Sequence, residues 1–144
     1  MLQTFFRLFV AVTIIIFTNF SNAFEVSGES FPASFEMTSW SSDSDSSSMT
    51  AVGIVEEGYG KVYLNYIFKS NSMDRSKGNF SGGLRSINND GVMVAATLQG
   101  IWKRDGKIVT MYTLDGFSNG DMIYAEGSVD LVESTLNFKA FRIE

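Results

Sequence analysis

The sequence predicts an all-β fold: an up-and-down antiparallel meander of seven or eight strands that forms a small closed or nearly closed barrel. Three observations predict it. Apolar and polar residues alternate along most of the chain after residue 50, which is typical of strands with one buried face. Asn-Asp-Gly, Arg-Asp-Gly and Ser-Asn-Gly triplets separate these stretches and suit tight hairpins. No stretch shows sustained helical periodicity with caps.

The predicted strands begin and end where the alternation does. A first, weaker strand is predicted over residues 33–40. Short connections join neighbouring strands antiparallel, and closure of the meander removes its unpaired edges. The other seven predicted strands are 50–57, 61–70, 78–87, 91–102, 107–115, 121–131 and 135–143.

Residues 1–23 have the layout of a secretory signal peptide. Arg7 precedes an apolar run over residues 8–17, and Ser21 and Ala23 supply small side chains at positions −3 and −1 of a cleavage site. The run is about half of the roughly 20 residues that a membrane-spanning helix needs. An uncleaved membrane anchor is the alternative interpretation. We therefore expect a secreted or periplasmic protein that has no membrane span after signal cleavage.

Two further segments are predicted after the cleavage site. Residues 24–49 form an acidic, Ser-rich N-terminal segment, whose Ser/Asp run over 41–48 is predicted to be a flexible loop. Residues 50–144 form a single β-barrel domain. The chain contains no cysteine, so its core must hold the fold without disulfides.

The composition argues against several kinds of site. The chain has neither histidine nor cysteine, which removes the usual zinc ligands and the imidazole that activates a serine or cysteine nucleophile. We therefore predict no metal, no cofactor and no catalytic residue. The formal net charge is −5, and an acidic chain without a basic patch is a poor partner for nucleic acid. Asn79 begins an Asn-Phe-Ser glycosylation sequon, a triplet that also occurs by chance.

The meander, the hairpin turns and the apolar interior resemble the plan of calycin and allene-oxide-cyclase-type barrels. This resemblance implies an architecture and no particular activity. The Gly-x-Trp motif that lipocalins carry near their first strand occurs here at residues 100–102, towards the end of a later strand. An eight-stranded barrel is either filled by side chains or holds one small ligand, and the sequence is compatible with both interiors.

The first functional hypothesis is a non-catalytic protein that binds or carries a small apolar ligand. The ligand is predicted to lie in the barrel mouth, and the predicted ligand-binding residues that line it are Tyr66, Ser86 and Trp102. Arg85 is placed near the rim of the barrel, where it would meet an anionic ligand.

Two other hypotheses come from different classes of protein. One is a structural or interaction protein of the envelope or extracellular space, with a filled core and an exposed contact patch of Tyr63, Ile67, Met111 and Tyr124. The other is a cofactor-independent isomerase or cyclase in which a buried carboxylate or tyrosine assists the reaction. The missing histidine favours the non-catalytic hypotheses.

Overall fold

The computed structural model describes Val26 and residues 28–143. Eight antiparallel strands follow one another around a closed barrel, in which each strand pairs with the next and the last pairs with the first. The predicted all-β, up-and-down architecture is confirmed. The strands are β1 (Ser30–Ser42), β2 (Ser46–Val55), β3 (Gly60–Ser70), β4 (Lys77–Ile87), β5 (Met93–Asp105), β6 (Ile108–Phe117), β7 (Met122–Asp130) and β8 (Thr135–Arg142).

The barrel has two ends that carry different connections. We call "mouth" the end where β1–β2, β3–β4, β5–β6 and β7–β8 are joined, and "base" the end where β1 begins and β8 finishes. Gly91, Gly106 and Gly120 have φ of 78°, 58° and 95° and stand third in the three predicted hairpin triplets. Glycine reaches this left-handed region without steric cost, which is why these triplets turn the chain.

The barrel begins at Ser30 rather than at the predicted boundary, residue 50. β1 pairs with β2 on one side and with β8 on the other, so it closes the barrel. The Ser34 hydroxyl donates a hydrogen bond of 2.9 Å to the Asn137 side chain across that closing contact. Residues 30–49 therefore belong to the barrel wall.

The Ser/Asp run over 41–48 is mostly strand, and its turn is short. Ser41 pairs with Ser48 and Ser42 with Ser47, and the hydroxyl oxygens lie 2.7 and 2.8 Å apart. Such cross-strand hydroxyl pairs stabilise a ribbon that has no apolar side chain to bury. The predicted loop is thereby reduced to a turn at residues 43–45.

The predicted signal peptide lies outside the described residues. Within the part of the chain that the structure describes, no helix is long and apolar enough to cross a membrane.

Alternate residues of each strand point into the barrel and form its core. β3 shows the pattern, with Val62, Leu64, Tyr66 and Phe68 buried and the residues between them exposed. This alternation confirms the predicted inner face of that strand. Burial of these apolar side chains supplies the main favourable term in folding, about 25 cal/mol per Å² of apolar surface.

Large rings and glycines face each other inside the barrel. Phe80 lies opposite Gly100, and Phe138 lies opposite Gly127 on the neighbouring strand. A Cβ at Gly127 would overlap the Phe138 ring, and one at Gly100 would come within 2.8 Å of the Phe80 ring. The small residues are thus matched to large ones and do not gather into one open lumen.

The middle of the barrel is filled. Met49, Met111 and Leu136 are at most 1% exposed, and they occupy strand positions between the residues that line the cavities at the two ends. We call these three side chains the plug. The interior therefore consists of two separate chambers, one at the mouth and one towards the base.

Candidate functional site

The mouth chamber is a cavity of about 260 Å³ above the plug. Its floor and walls are apolar, and its rim carries carboxylate, hydroxyl and guanidinium groups. Apolar concave surface with a few polar groups at the edge is typical of small-molecule sites. The apolar lining residues are Trp40, Phe68, Trp102, Val109, Val129 and Leu131.

A β-bulge turns Trp40 into this chamber. Met37 pairs with Ala51, but the next register pair is Ser39 with Thr50, so β1 has one extra residue at Thr38. The Thr50 hydroxyl lies 2.8 Å from the Thr38 hydroxyl and 2.5 Å from that of Ser39. Because both residues face outward there, Trp40 lies on the inner side, 6.0 Å from the Phe68 ring between centroids.

Trp102 is held in place by its indole nitrogen. Nε1 donates to the Lys69 carbonyl at 3.2 Å and to the Asn79 carbonyl at 3.0 Å. The ring meets Phe68 edge-to-face, with centroids 6.1 Å apart. These contacts leave an apolar ring face for the chamber, and its polar edge is satisfied by β3 and β4.

The charges at the rim differ in how they are engaged. The Asp43 carboxylate accepts hydrogen bonds from the Asp45 and Ser46 amides at 2.8 and 2.7 Å, and these bonds lower the pKa of Asp43. Arg104 donates to the Gly106 carbonyl at 3.0 Å. The Arg75 guanidinium has no hydrogen bond or ion pair with a described residue, so it is free to meet a ligand.

The inner chamber lies below the plug and has a volume of about 60 Å³. Its lining is apolar except for Thr113, Asp115 and two tyrosine hydroxyls. The aromatic residues in that lining are Phe31, Phe35, Tyr59, Tyr66, Phe117 and Phe138.

Asp115 interrupts the hydrogen-bond ladder beside this chamber. Thr97 of β5 pairs with Gly116 of β6, and Gly100 pairs with Thr113. The residues between these pairs, Leu98 and Gln99 on β5 and Leu114 and Asp115 on β6, are not paired. Side chains bind the free backbone groups instead. The Asp115 carboxylate accepts from the Gln99 amide at 3.4 Å and from the Thr113 hydroxyl, which also lies 3.1 Å from the Gln99 carbonyl.

Burial raises the pKa of Asp115 to about 6, although the hydrogen bonds from Thr113 and Gln99 act to lower it. No ion pair joins this carboxylate to a base among the described residues. A carboxyl group with a pKa near neutrality can exchange a proton under ordinary conditions. Asp115 is therefore an interior group whose pKa lies near neutrality.

Two hydroxyls of the interior lack partners. The Ser86 hydroxyl is buried without a hydrogen bond. The Tyr66 side chain makes ring contacts with Phe68 and Phe80, at 5.8 and 5.3 Å between centroids, and burial raises its pKa. An unsatisfied buried hydroxyl such as that of Ser86 costs roughly 1–3 kcal/mol. The Tyr66 side chain lines the inner chamber, so a polar ligand atom placed there would be favourable.

A cluster of side chains covers the base, and we call it the base cap. Tyr59 is 6% exposed and packs on Phe117, with centroids 5.2 Å apart. Its hydroxyl donates to the Asp121 carboxylate. Arg142 lies over the Phe31 ring at 5.2 Å and pairs with Glu57 at 3.4 Å. The cap lies on the base side of the inner chamber, and its Tyr59 and Phe31 rings form part of the chamber wall.

The structure does not bring the four predicted ligand-binding residues together. Tyr66 lines the inner chamber, and Trp102 lines the mouth chamber on the other side of the plug. Ser86 is buried in the interior. Arg85 lies on the outer wall, because its neighbour Leu84 points inward, and its guanidinium donates to the Leu84 carbonyl at 2.9 Å.

Sequence reasoning missed Trp40, Arg75, Arg104 and Asp115. Trp40 carried no signal in the sequence, since its inward orientation depends on a bulge. The sequence does contain a signal for Asp115. This residue lies an even number of positions from Val109, Met111 and Thr113 on β6, and alternate residues of a strand share one face, so it is expected to point inward.

The predicted contact patch is only partly at the surface. Tyr63 and Ile67 are 51% and 41% exposed, but Met111 is fully buried in the plug, so its predicted exposure is wrong. Odd-numbered residues of β6 from Val109 to Thr113 point inward, which removes Met111 from the patch. Ile67 and Tyr124 both line a groove on the outer wall.

Within residues 28–143, no three acidic side chains lie close enough together to hold a metal ion. Comparison of the chain with models of protein families, with curated proteins and with solved structures found no match.

Proposed function

We propose that this protein is a non-catalytic binder of a small ligand with an apolar body, which occupies the mouth chamber. The observation that carries the proposal is the chamber itself: about 260 Å³ of space lined by Trp40, Phe68 and Trp102 above a filled barrel. Removing a ligand's apolar surface from water onto these rings is favourable by about 25 cal/mol per Å².

The rim carries the carboxylates of Asp43 and Asp45 as well as two guanidiniums, and the unpartnered one favours a ligand with a negatively charged end. Asp43 is engaged by amides of its own turn, whereas Arg75 has no partner among the described residues. Arg104 adds a second guanidinium at the same rim. A guanidinium fork pairs well with a carboxylate or phosphate. Arg75 thus takes the role that the sequence assigned to Arg85.

The catalytic hypothesis has less support from the geometry. Asp115 and Tyr66 face a chamber of about 60 Å³, which corresponds to roughly two water molecules of about 30 Å³ each. An apolar substrate of an isomerase or cyclase does not fit beside them. Export belongs to the proposal as well, and it is supported by the signal-peptide layout of residues 1–23.

Intrinsic fluorescence tests the proposal directly, because the chain's two tryptophans both line the mouth chamber. Purified protein is titrated with octanoate, octanol and octylammonium. We expect a saturable change in tryptophan emission, strongest for octanoate, and a loss of the octanoate preference in Arg75→Gln.

Two neighbouring serines provide a matched pair of variants. Ser47 lines the mouth chamber, whereas Ser48 is exposed on the outer side of β2. Ser47→Phe fills the chamber and should weaken octanoate binding at least tenfold, and Ser48→Phe should leave it unchanged. Equal effects of the two variants, or no saturable emission change with any of the three probes, would refute a ligand site at the mouth.

A further inference from the structure

The inner chamber has a chemistry that differs from that of the mouth and that the proposed function does not use. Six aromatic rings line it together with one carboxylate, and no lysine or arginine is among its lining residues. Aromatic faces attract cations through their quadrupole, and a carboxylate attracts them directly. The lining is therefore selective for positive charge.

The carboxylate in this chamber lacks a counter-ion. Asp115 accepts hydrogen bonds from the Gln99 amide and the Thr113 hydroxyl, and no ion pair reaches it within the described part of the chain. Asp115 is partly rather than fully buried, and partial desolvation of a charge without a partner is unfavourable. A cation placed beside Asp115 would remove that penalty and gain the attraction of the surrounding rings.

The Tyr66 hydroxyl adds a second polar group that has no partner. Tyr66 is 3% exposed, lines the same chamber and is close enough to Asp115 for the two groups to interact electrostatically. A hydroxyl can accept a hydrogen bond from an ammonium group. The chamber thus offers two oxygen acceptors within an apolar, aromatic lining.

We propose that the inner chamber is a second binding site, which takes a small alkylammonium cation against Asp115 and the aromatic rings. The volume of about 60 Å³ is that of roughly two waters, so a cation of two or three non-hydrogen atoms fits, such as methylammonium. A hard metal ion is disfavoured, since it requires six or more oxygen ligands. An anion would be repelled by Asp115.

The other charged and titratable groups near the chamber lie in its lining or in the base cap. Tyr59 covers the base side, and its hydroxyl is bound by Asp121. Arg142 stacks on the Phe31 ring, and its charge is paired with Glu57. Tyr59 lines the chamber on this side and stands between Gly58 and Gly60, both at positive φ.

The Gln99 amide is a specific reporter, because it donates to Asp115. Methylammonium chloride is titrated into the isotopically labelled protein at pH 8, with amide chemical shifts followed by NMR. Sodium chloride at equal ionic strength controls for screening, and methanol is the neutral molecule of the same size. We expect a saturable shift at Gln99 for methylammonium, and none for the two controls.

Two asparagine variants locate the cation. Asp115→Asn keeps the shape and an acceptor oxygen but removes the charge, and should weaken methylammonium binding at least tenfold. Asp90→Asn removes one charge from an exposed turn at the same end of the barrel and should not change binding. Binding should also weaken below about pH 6, since burial raises the pKa of Asp115 to about 6.

Three results would overturn the proposal. The first is a chemical-shift change at the Gln99 amide with methylammonium no larger than that with sodium chloride. The second is an unchanged methylammonium affinity in Asp115→Asn when the variant's amide spectrum shows that it is folded. The third is saturable shift changes only at residues that line the mouth chamber. The octanoate experiment reports on the two tryptophans of the mouth chamber, so it tests that site separately. Binding at one chamber can therefore be refuted without affecting the conclusion about the other.

Discussion

Asp115 makes a quantitative prediction about stability and pH. Its carboxyl group lies in the wall of an apolar chamber, and burial raises its pKa from 3.8 to about 6. The perturbation is Asp115→Asn, which keeps one oxygen to accept from the Gln99 amide and the Thr113 hydroxyl. The variant therefore removes the charge and leaves the local geometry in place.

The magnitude follows from linkage between protonation and folding. Because its pKa is higher in the folded state, Asp115 is protonated in the native protein at pH values where the unfolded chain has lost the proton. Its contribution to the free energy of unfolding is present below pH 3.8 and is lost as the pH rises through about 6. A shift of this size corresponds to about 3 kcal/mol, at 1.36 kcal/mol per pKa unit.

Urea unfolding of the wild type and Asp115→Asn at pH 4 and pH 8 measures this contribution. We expect the variant to be more stable by about 3 kcal/mol at pH 8 and by less than about 1 kcal/mol at pH 4. Asp90→Asn, on an exposed turn, should differ from wild type by no more than about 0.5 kcal/mol at either pH. A stability difference between Asp115→Asn and wild type that does not change with pH would refute the assignment of Asp115 to a desolvated site.

Three further predictions concern packing, and urea unfolding measures each. Leu136→Ala, in the plug, should lower the free energy of unfolding by about 2–5 kcal/mol, whereas Leu114→Ala, at a side chain 48% exposed, should change it by at most about 0.5 kcal/mol. Ser86→Ala removes a buried hydroxyl without a partner and should raise stability by about 1 kcal/mol. Gly127→Ala places a Cβ into the Phe138 ring and should cost about 1–3 kcal/mol.

Each packing prediction has an outcome that contradicts it. Equal losses in Leu136→Ala and Leu114→Ala would mean that the plug is not close-packed. Destabilisation by Ser86→Ala would show that its hydroxyl has a partner. If Phe138→Leu does not recover the stability lost in Gly127→Ala, the overlap between these two residues is not the cause.

The strands from β3 onward could be predicted because their signals are local. The alternation of Val62, Leu64, Tyr66 and Phe68 is a period of two that any window of the sequence shows. The turn glycines at 91, 106 and 120 are local in the same sense. The extent of β1 and β2 was missed, since it depends on hydroxyl pairs across a ribbon and on contact with β8.

The candidate sites were less predictable, because they depend on which side of the wall a residue occupies. The bulge at Thr38 moves Trp40 from the outer to the inner side, and nothing in the sequence marks that extra residue. Arg75 reaches the mouth from a connection whose path follows from the whole barrel. The inward orientation of Asp115 could have been predicted from the alternation along β6. The loss of water around its carboxyl group could not, because it depends on the side chains of other strands.

The sequence by itself determined an all-β meander with an apolar inner face, since side-chain alternation and turn chemistry act between near neighbours. Only the tertiary structure decided that the barrel is filled at Met49, Met111 and Leu136, with one cavity on the mouth side of these residues and another on the base side. The space left inside a barrel is the difference between its volume and the side chains that meet there. Those side chains come from strands far apart in the chain, so their fit exists only once the barrel has closed.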